Sequence, residues 1–177
     1  NVSRLELGTF SVEPELLDIK TIAEENIKQI KPDVEKKKIK LSKNYGRNLP
    51  KIMLDKKLTN IIIQNLLSNA IKYTPEKGKV NLVINQEGKF IKITVSDTGL
   101  GIPINQQDKI FSKLFRADNV RETDTEGTGL GLYIIKSIID NVGGNIYFTS
   151  KQNQGTTFNV LLPLTGMAKK DGAKTLN

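Results

Sequence analysis

Apolar residues recur along this chain in two rhythms, one helical and one alternating, and together they predict most of its elements. Over residues 19–34 the apolar positions Ile19, Ile22, Ala23, Ile27, Ile30 and Val34 fall three and four apart, as on an amphipathic helix, with Pro32 expected to end or kink it. A second helix is predicted from an N-cap at Asp55 to about Tyr73. Its apolar residues, including Ile61, Ile62, Ile63, Leu66, Leu67 and Ile71, are dense enough for burial on most sides, and Thr74, Pro75 and Gly78 break it. Strict alternation marks the strands. Residues 90–96 set Ile91, Ile93 and Val95 against Lys92, Thr94 and Ser96, and residues 80–86 precede them across a Glu87-Gly88 hairpin.

Shorter strands are expected at residues 39–41 and 52–54, with an edge segment at 10–17 interrupted by Pro14. A closing pair, 145–150 and 156–162, turns around Gly155 and stops at Pro163. Residues 1–8 read as the end of a helix capped by Gly8, and residues 106–116 as a short helical stretch. Another helix opens after Gly127, runs through Ile134, Ile135, Ile138 and Ile139, and ends at Gly143-Gly144. Residues 118–126 carry almost no large apolar side chain and are expected to form a mobile loop. From Thr165 onward the chain reads as a disordered or expression-derived tail.

Composition changes this picture mainly by exclusion. The 177 residues amount to about one domain with a sizeable core. No cysteine is present, so disulfides, thiolate metal sites and a Cys nucleophile are excluded, and no histidine is present to act as general base or phosphoryl acceptor. No apolar run is long enough to span a membrane, and the first residues lack the order of a signal peptide, which reads as a soluble chain. The chain also starts without Met, on what looks like a helix tail, as a piece of a larger protein would. Lys and Arg outnumber Asp and Glu 27 to 19, a net charge of +8. A basic nucleic-acid-binding domain is one reading. The basic residues are scattered, however, with local clusters only at Lys36 to Lys40 and Lys169 to Lys174, and only four Tyr and six Phe are available for stacking, which favours a Lys-rich solvated surface.

Three stretches carry candidate chemistry. The first is DTGLGIP at 97–103. Asp97 continues the apolar series of its strand, so the pleat aims a carboxylate at the core, where it needs donors. Gly99 and Gly101 allow close backbone approach, and Pro103 ends the strand. Such an acceptor suits a ligand amino group, as on adenine; the alternative is an Asx-turn closed on its own backbone. The second stretch is NLLSNAIKY, in which Asn65 and Asn69 share one helix face and Lys72 and Tyr73 extend it. Amide oxygens suit Mg²⁺ and Lys72 suits phosphate; the alternative is that the two Asn bond to loop backbone. The third is Gly127-Thr128-Gly129-Leu130-Gly131-Leu132 at a helix start, where free N–H groups face an anion or simply make a turn. It is neither a Rossmann fingerprint, since Leu132 stands at the third glycine position, nor a P-loop.

In order and spacing these motifs resemble the ATP-binding catalytic domain of bacterial sensor histidine kinases, with NLLSNAIKYTP as N box, DTGLGIP as G1 box, IFSKLFRAD as F box and GTGLGLYIIKSII as G2 box. The resemblance covers roughly residues 10–163 and implies a Bergerat-type α/β fold, an α+β two-layer sandwich with one mixed sheet covered on one face by helices and a mobile ATP lid. It implies ATP and Mg²⁺ as cofactors, with Asn69 as metal ligand and Asn65 beside it at the phosphates. Lys72 and Arg116 would hold phosphate, Tyr73 line the pocket, Asp97 take the adenine amino group beside Gly99 and Gly101, and the glycines 127, 129 and 131, with Thr128, Leu130 and Leu132, hold the lid. Thr157 is implied as a support for Asp97. Domain limits follow as 1–8 for the end of an upstream hairpin, 9–164 for the ATP-binding domain and 165–177 for the tail.

The resemblance puts no catalytic residue in this chain, because the phosphoacceptor histidine and its acidic neighbour belong to that hairpin. It implies as partners the hairpin, in cis or from the other subunit, and a response-regulator receiver domain, but no nucleic acid. The parent would be a homodimer anchored in the bacterial membrane, and this chain a cytoplasmic, monomeric fragment. Two departures stand out. Leu114 occupies a usual F-box Phe position, with Phe115 at that of the following aromatic, and the larger one is the phosphoacceptor hairpin itself, which is not in this sequence. Among relatives of the same fold, Asn65 stands where hydrolytic members such as gyrase carry a Glu that activates water, so poor hydrolysis is expected. A regulatory nucleotide-binding module without transferase activity is the alternative function.

Overall fold

The computed structural model describes residues 10–118 and 129–172. Its elements are β1 (Glu15–Leu17), α1 (Ile19–Lys36), β2 (Lys40–Tyr45), β3 (Ile52–Leu54), α2 (Lys56–Tyr73), β4 (Lys79–Glu87), β5 (Phe90–Asp97), a 3-10 turn (Ile104–Lys109), α3 (Gly131–Asn141), β6 (Asn145–Lys151) and β7 (Gly155–Pro163). Five strands form one mixed sheet in the order β2-β4-β5-β7-β6, in which only the β2–β4 pair is parallel. β1 and β3 make a separate antiparallel ribbon. The expected arrangement of helices on one face of a mixed sheet is the one observed.

Alternation decides which sheet face is covered. Ile91, Ile93 and Val95 of β5, Val80, Leu82 and Ile84 of β4, and Val160 and Leu162 of β7 are essentially inaccessible and meet Ile62, Ile63, Leu66 and Leu67 of α2 and Ile135, Ile138 and Ile139 of α3. The opposite face is largely polar, and the hydrogen bonds Ser42–Asn81, Thr94–Asn159 and Thr157–Ser96 tie its side chains together. At the start of α2, Asp55 Oδ1 accepts from Leu58 N–H at 3.0 Å while its Oδ2 takes Glu13 N–H at 2.9 Å, so one carboxylate caps the helix and pins the incoming chain. α1 is capped likewise by Asp18.

Four expectations need correction. α1 runs through Pro32 to Lys36; the proline removes a donor to an exposed carbonyl at Lys28 that water can satisfy. The strand expected at 39–41 extends to Tyr45, because its polar residues sit on an edge strand paired along β4. The helical stretch expected at 106–116 is a 3-10 turn only. Gln107 Nε2 donates to the carbonyls of Ile102 and Ser150, and Gln106 bonds to Asp118, so side-chain bonds to remote loops prevail over local helix formation. Residues 165–172 are not a loose tail. Met167 is 3% exposed, its N–H bonds to Met53 O at 2.8 Å and its sulfur receives Asp55 N–H at 3.3 Å, while Lys170 and Val12 exchange backbone hydrogen bonds. The expected helix end at 1–8, the loop at 119–126 and the last residues, 173–177, lie outside the described residues. Among those described, no helix is long and apolar enough to cross a membrane.

Candidate functional site

Five segments distant in sequence converge on one cavity of about 290 Å³. α2 brings Asn65, Ser68, Asn69, Ala70, Lys72 and Tyr73; the end of β5 and its following turn bring Asp97, Gly101 and Ile102. Ile110, Phe115, Arg116 and Ala117 close a second side, Gly129, Gly131 and Leu132 a third, and Thr156 and Phe158 of β7 complete the wall. The size lies at the lower end of small-molecule sites, and the lining mixes apolar surface with few convergent polar groups.

Asp97 is half-buried at the end of its apolar strand face, and the donors it needs are supplied by backbone. Oδ1 accepts from Gly99 N–H at 2.8 Å and from Thr156 N–H at 3.3 Å. The Asx-turn is therefore real, yet it occupies one oxygen; Oδ2 takes no hydrogen bond from a described residue. Burial pushes the carboxyl above the usual carboxylate range, and the two N–H donors pull it back only partly. The turn after Asp97 is stitched on both sides. Leu100 N–H donates to Tyr73 O at the end of α2, and Leu100 O accepts from Asn153 N–H at 2.7 Å. Gly101 has φ of +61°, and a Cβ there would run into the Lys151 carbonyl, so the position requires glycine on two counts.

On α2, Asn65 Nδ2 donates to Ile61 O at 2.8 Å, which leaves Oδ1 as its acceptor. A Cβ on Gly131 would stand 2.5 Å from that Oδ1, so glycine at the first residue of α3 lets the helix start come up against Asn65. The Asn69 side chain makes no hydrogen bond with a described residue although it lines the cavity. The loop-backbone alternative for the two Asn is thus not realised among the described residues. One amide leans on its own helix and the other faces the cavity. Lys72 carries its ammonium 5.7 Å from the centre of the Tyr73 ring.

Ten of the sequence-predicted residues meet here: Asn65, Asn69, Lys72, Tyr73, Asp97, Gly101, Arg116, Gly129, Gly131 and Leu132. Gly99 acts from behind through its N–H to Asp97. Leu130 caps α3 without reaching the wall, and Gly127 and Thr128 lie outside the described residues. Thr157 is misplaced as a support for Asp97. It pairs with Ser96, so the pleat turns it to the far sheet face, where its hydroxyl donates to Ser96 Oγ. Thr156 does the supporting, through its main chain. Alternation applied to β7, where Thr156, Phe158 and Val160 are buried, carries that signal. At the F-box departure Leu114 has φ of +60° and points outward, 60% exposed, while Phe115 faces the cavity.

Residues 54–166 match the sequence profile of the histidine kinase-, DNA gyrase B-, and HSP90-like ATPases, more than half of the chain. This chain belongs to that family. The family's domain is an ATP-binding one, and within it the likeness is to sensor histidine kinases. The adaptive-response sensory kinase SasA of Gloeothece citriformis is 38% identical over 141 residues, 79% of this chain but 35% of the relative. The solved catalytic domain of histidine kinase ThkA superposes with a TM-score of 0.74 at 27% identity, covering 86% of this chain and 96% of that one. Full-length ShkA in complex with AMPPNP gives a TM-score of 0.80 at 25% identity, covering 96% of this chain and 35% of that one. The shared fold is the Bergerat-type sandwich expected from the sequence. The chain spans between 20% and 40% of the length of the curated relatives it matches.

Proposed function

We propose that this chain is the catalytic ATP-binding domain of a sensor histidine kinase, which holds Mg-ATP and donates the γ-phosphoryl group to a histidine on a helical hairpin of its parent protein. The observation that carries the reading is the polarity of the cavity. Asp97, a carboxylate with one oxygen uncommitted among the described residues, shares the wall with the polar and cationic side chains of Asn65, Asn69, Lys72 and Arg116. Adenine's amino group suits the first, and a polyphosphate suits the second. Tyr73, Ile102, Ile110 and Phe158 offer apolar surface for the base between them.

The donor set fits a divalent metal. Asn69 presents an amide oxygen that no described residue occupies, beside Asn65 with its own amide acceptor, and hard neutral oxygens are the ligand type that Mg²⁺ accepts together with phosphate oxygens. Asn69 would hold the ion, with Asn65 next to it. When bound, the ion neutralises phosphate charge and aligns the terminal phosphoryl group. The residues of this chain do the rest: Asp97 fixes the base, Lys72 and Arg116 counter the phosphate charge, and the start of α3, at Gly131 and Leu132, brings the positive end of a helix to the cavity wall.

In the transfer, an imidazole nitrogen of the parent attacks the γ-phosphorus in line. The bond to the β–γ bridging oxygen breaks, and ADP leaves with that electron pair. The proton on the phosphorylated imidazolium passes to solvent or to the acidic neighbour of the histidine. Asn65 in place of a carboxylate supports transfer over hydrolysis, because an amide is no base for water near neutral pH. The phosphohistidine would then serve a response-regulator receiver domain, in a dimeric parent held at the membrane with this domain in the cytoplasm.

The test is phosphoryl transfer from γ-labelled ATP in the full-length parent. Acid-labile, base-stable label that disappears with Asn69→Ala supports the kinase; nucleotide binding without label in a parent that carries the histidine hairpin favours a regulatory module instead.

A further inference from the structure

The last turn of α2 carries two residues of the cavity wall, Lys72 and Tyr73, and its carbonyls have no partners within the helix. Each is nonetheless satisfied. Ala70 O accepts from Thr74 Oγ1 at 2.6 Å, and Tyr73 O accepts from Leu100 N–H at 3.1 Å. Between them, the Lys37 ammonium donates to Ile71 O at 2.9 Å, Lys72 O at 2.7 Å and Thr74 O at 3.0 Å. Lys37 itself is firmly seated. It is the C-cap of α1, its N–H bonds to Asp33 O, and its carbonyl accepts from Lys77 N–H at 2.9 Å. A cation at a helix C-terminus also meets the negative end of the helix dipole.

We infer that Lys37 is a positioning residue for the nucleotide: it locks the end of α2 so that Lys72 and Tyr73 stay on the cavity wall and Tyr73 O stays in place for the Leu100 N–H of the Asp97 turn. The inference rests on the ATP-binding reading of the cavity. Without the ammonium, the carbonyls of Ile71 and Lys72 lose their donor, the last turn frays, and the strap from Tyr73 to Leu100 loosens with it. Lys37 is not among the described residues that line the cavity, and its ammonium reaches the wall from behind, through the carbonyls at the end of α2 and of Thr74.

The experiment compares the parent chain with Lys37→Met, which keeps the apolar stem, and Lys37→Arg, which keeps a cationic donor. Calorimetric titration with a non-hydrolysable ATP analogue and Mg²⁺ is run below the melting range of all three, and amide hydrogen exchange is followed at Leu100. The Met variant is expected to bind about tenfold or more weakly and to exchange Leu100 N–H faster, while Thr98 N–H, bonded to Lys79 O, keeps its protection. The Arg variant is expected to stay within about threefold of the parent. A folded Met variant with parental affinity and parental Leu100 exchange overturns the inference, even if its melting point has dropped. If the Met variant does not fold, Lys37→Gln takes its place under the same criteria. A folded parent that binds no analogue removes the ATP reading and this role together; a parent that binds, with an unaffected variant, removes only the role of Lys37.

Discussion

Replacing Asp97 by asparagine separates recognition from stability at this site, and the geometry determines how. Oδ1 of Asp97 faces two backbone donors, Gly99 N–H at 2.8 Å and Thr156 N–H at 3.3 Å. An asparagine must keep its oxygen there, since a flipped amide would set its NH₂ against both N–H groups. The NH₂ therefore replaces Oδ2, and a donor confronts the donor of the adenine amino group. What is lost is a hydrogen bond to a charged acceptor, on the order of 1.5–3 kcal/mol, or roughly a ten- to hundredfold rise in Kd. Stability should not fall, because burial holds the carboxyl's pKa above the ordinary range. The folded chain thus binds that proton more tightly than the unfolded one; ionisation costs stability at neutral pH, and the cost vanishes as pH falls through the raised value. The amide of the Asp97→Asn variant does not titrate, so its affinity should stay flat where the parent's affinity for the nucleotide falls with decreasing pH. Calorimetry with the non-hydrolysable analogue at a series of pH values, alongside thermal melts, measures both. Equal affinities for parent and variant near neutral pH refute the assignment of Asp97 to the base.

Asn69→Ala should leave the melting temperature nearly unchanged and abolish the Mg²⁺-dependent increment in nucleotide affinity, read by titrations with and without the ion. Gly131→Ala should also fold, because the contact it creates is with the movable end of Asn65, 2.5 Å from the new methyl group, but the displaced amide should weaken nucleotide binding in the same titration. Met167→Ala should do the reverse. Deleting a side chain that is 3% exposed costs about 2–5 kcal/mol, a fall of roughly 5–15 °C in melting temperature, with the Kd of the folded protein unaltered.

What could be read from the sequence was whatever repeats over a few residues. The alternation of Ile91, Ile93 and Val95 fixes β5 and aims Asp97; the four-residue step from Asn65 to Asn69 puts both on one face; Asp55 announces its helix. Apart from the helix that runs on through Pro32, the misses share a cause, a partner far along the chain. Met167 looks like part of a tail until Asp55, 112 residues away, is found donating to its sulfur. Gln107 belongs to a helical pattern until Ser150, 43 residues away, claims its amide. Thr157 and Thr156 are adjacent threonines; the alternation of Phe158, Val160 and Leu162 puts Thr156 on the inward face, and the pairing of Ser96 with Thr157 across the sheet confirms which one shares a face with Asp97. Lys37 sits in a lysine cluster with Lys36, Lys38 and Lys40, and nothing local distinguishes the one whose ammonium reaches another helix.

The place of β7 between β5 and β6 has a consequence for how the protein comes off the ribosome. β7 is the last of the five strands to be synthesised, yet it is inserted beside β5 in the interior of the sheet. Until it emerges, a nascent chain already holds Asn65, Asn69, Asp97 and Arg116, but β5 is an open edge flanked by apolar Ile91, Ile93 and Val95, and Asp97 lacks its Thr156 donor. Such an edge is the kind of surface on which incomplete chains associate. Completion of the pocket and removal of that hazard are thus one event, delayed until β7 has been made, and a pause before Thr156 is the point at which this domain has most need of a chaperone.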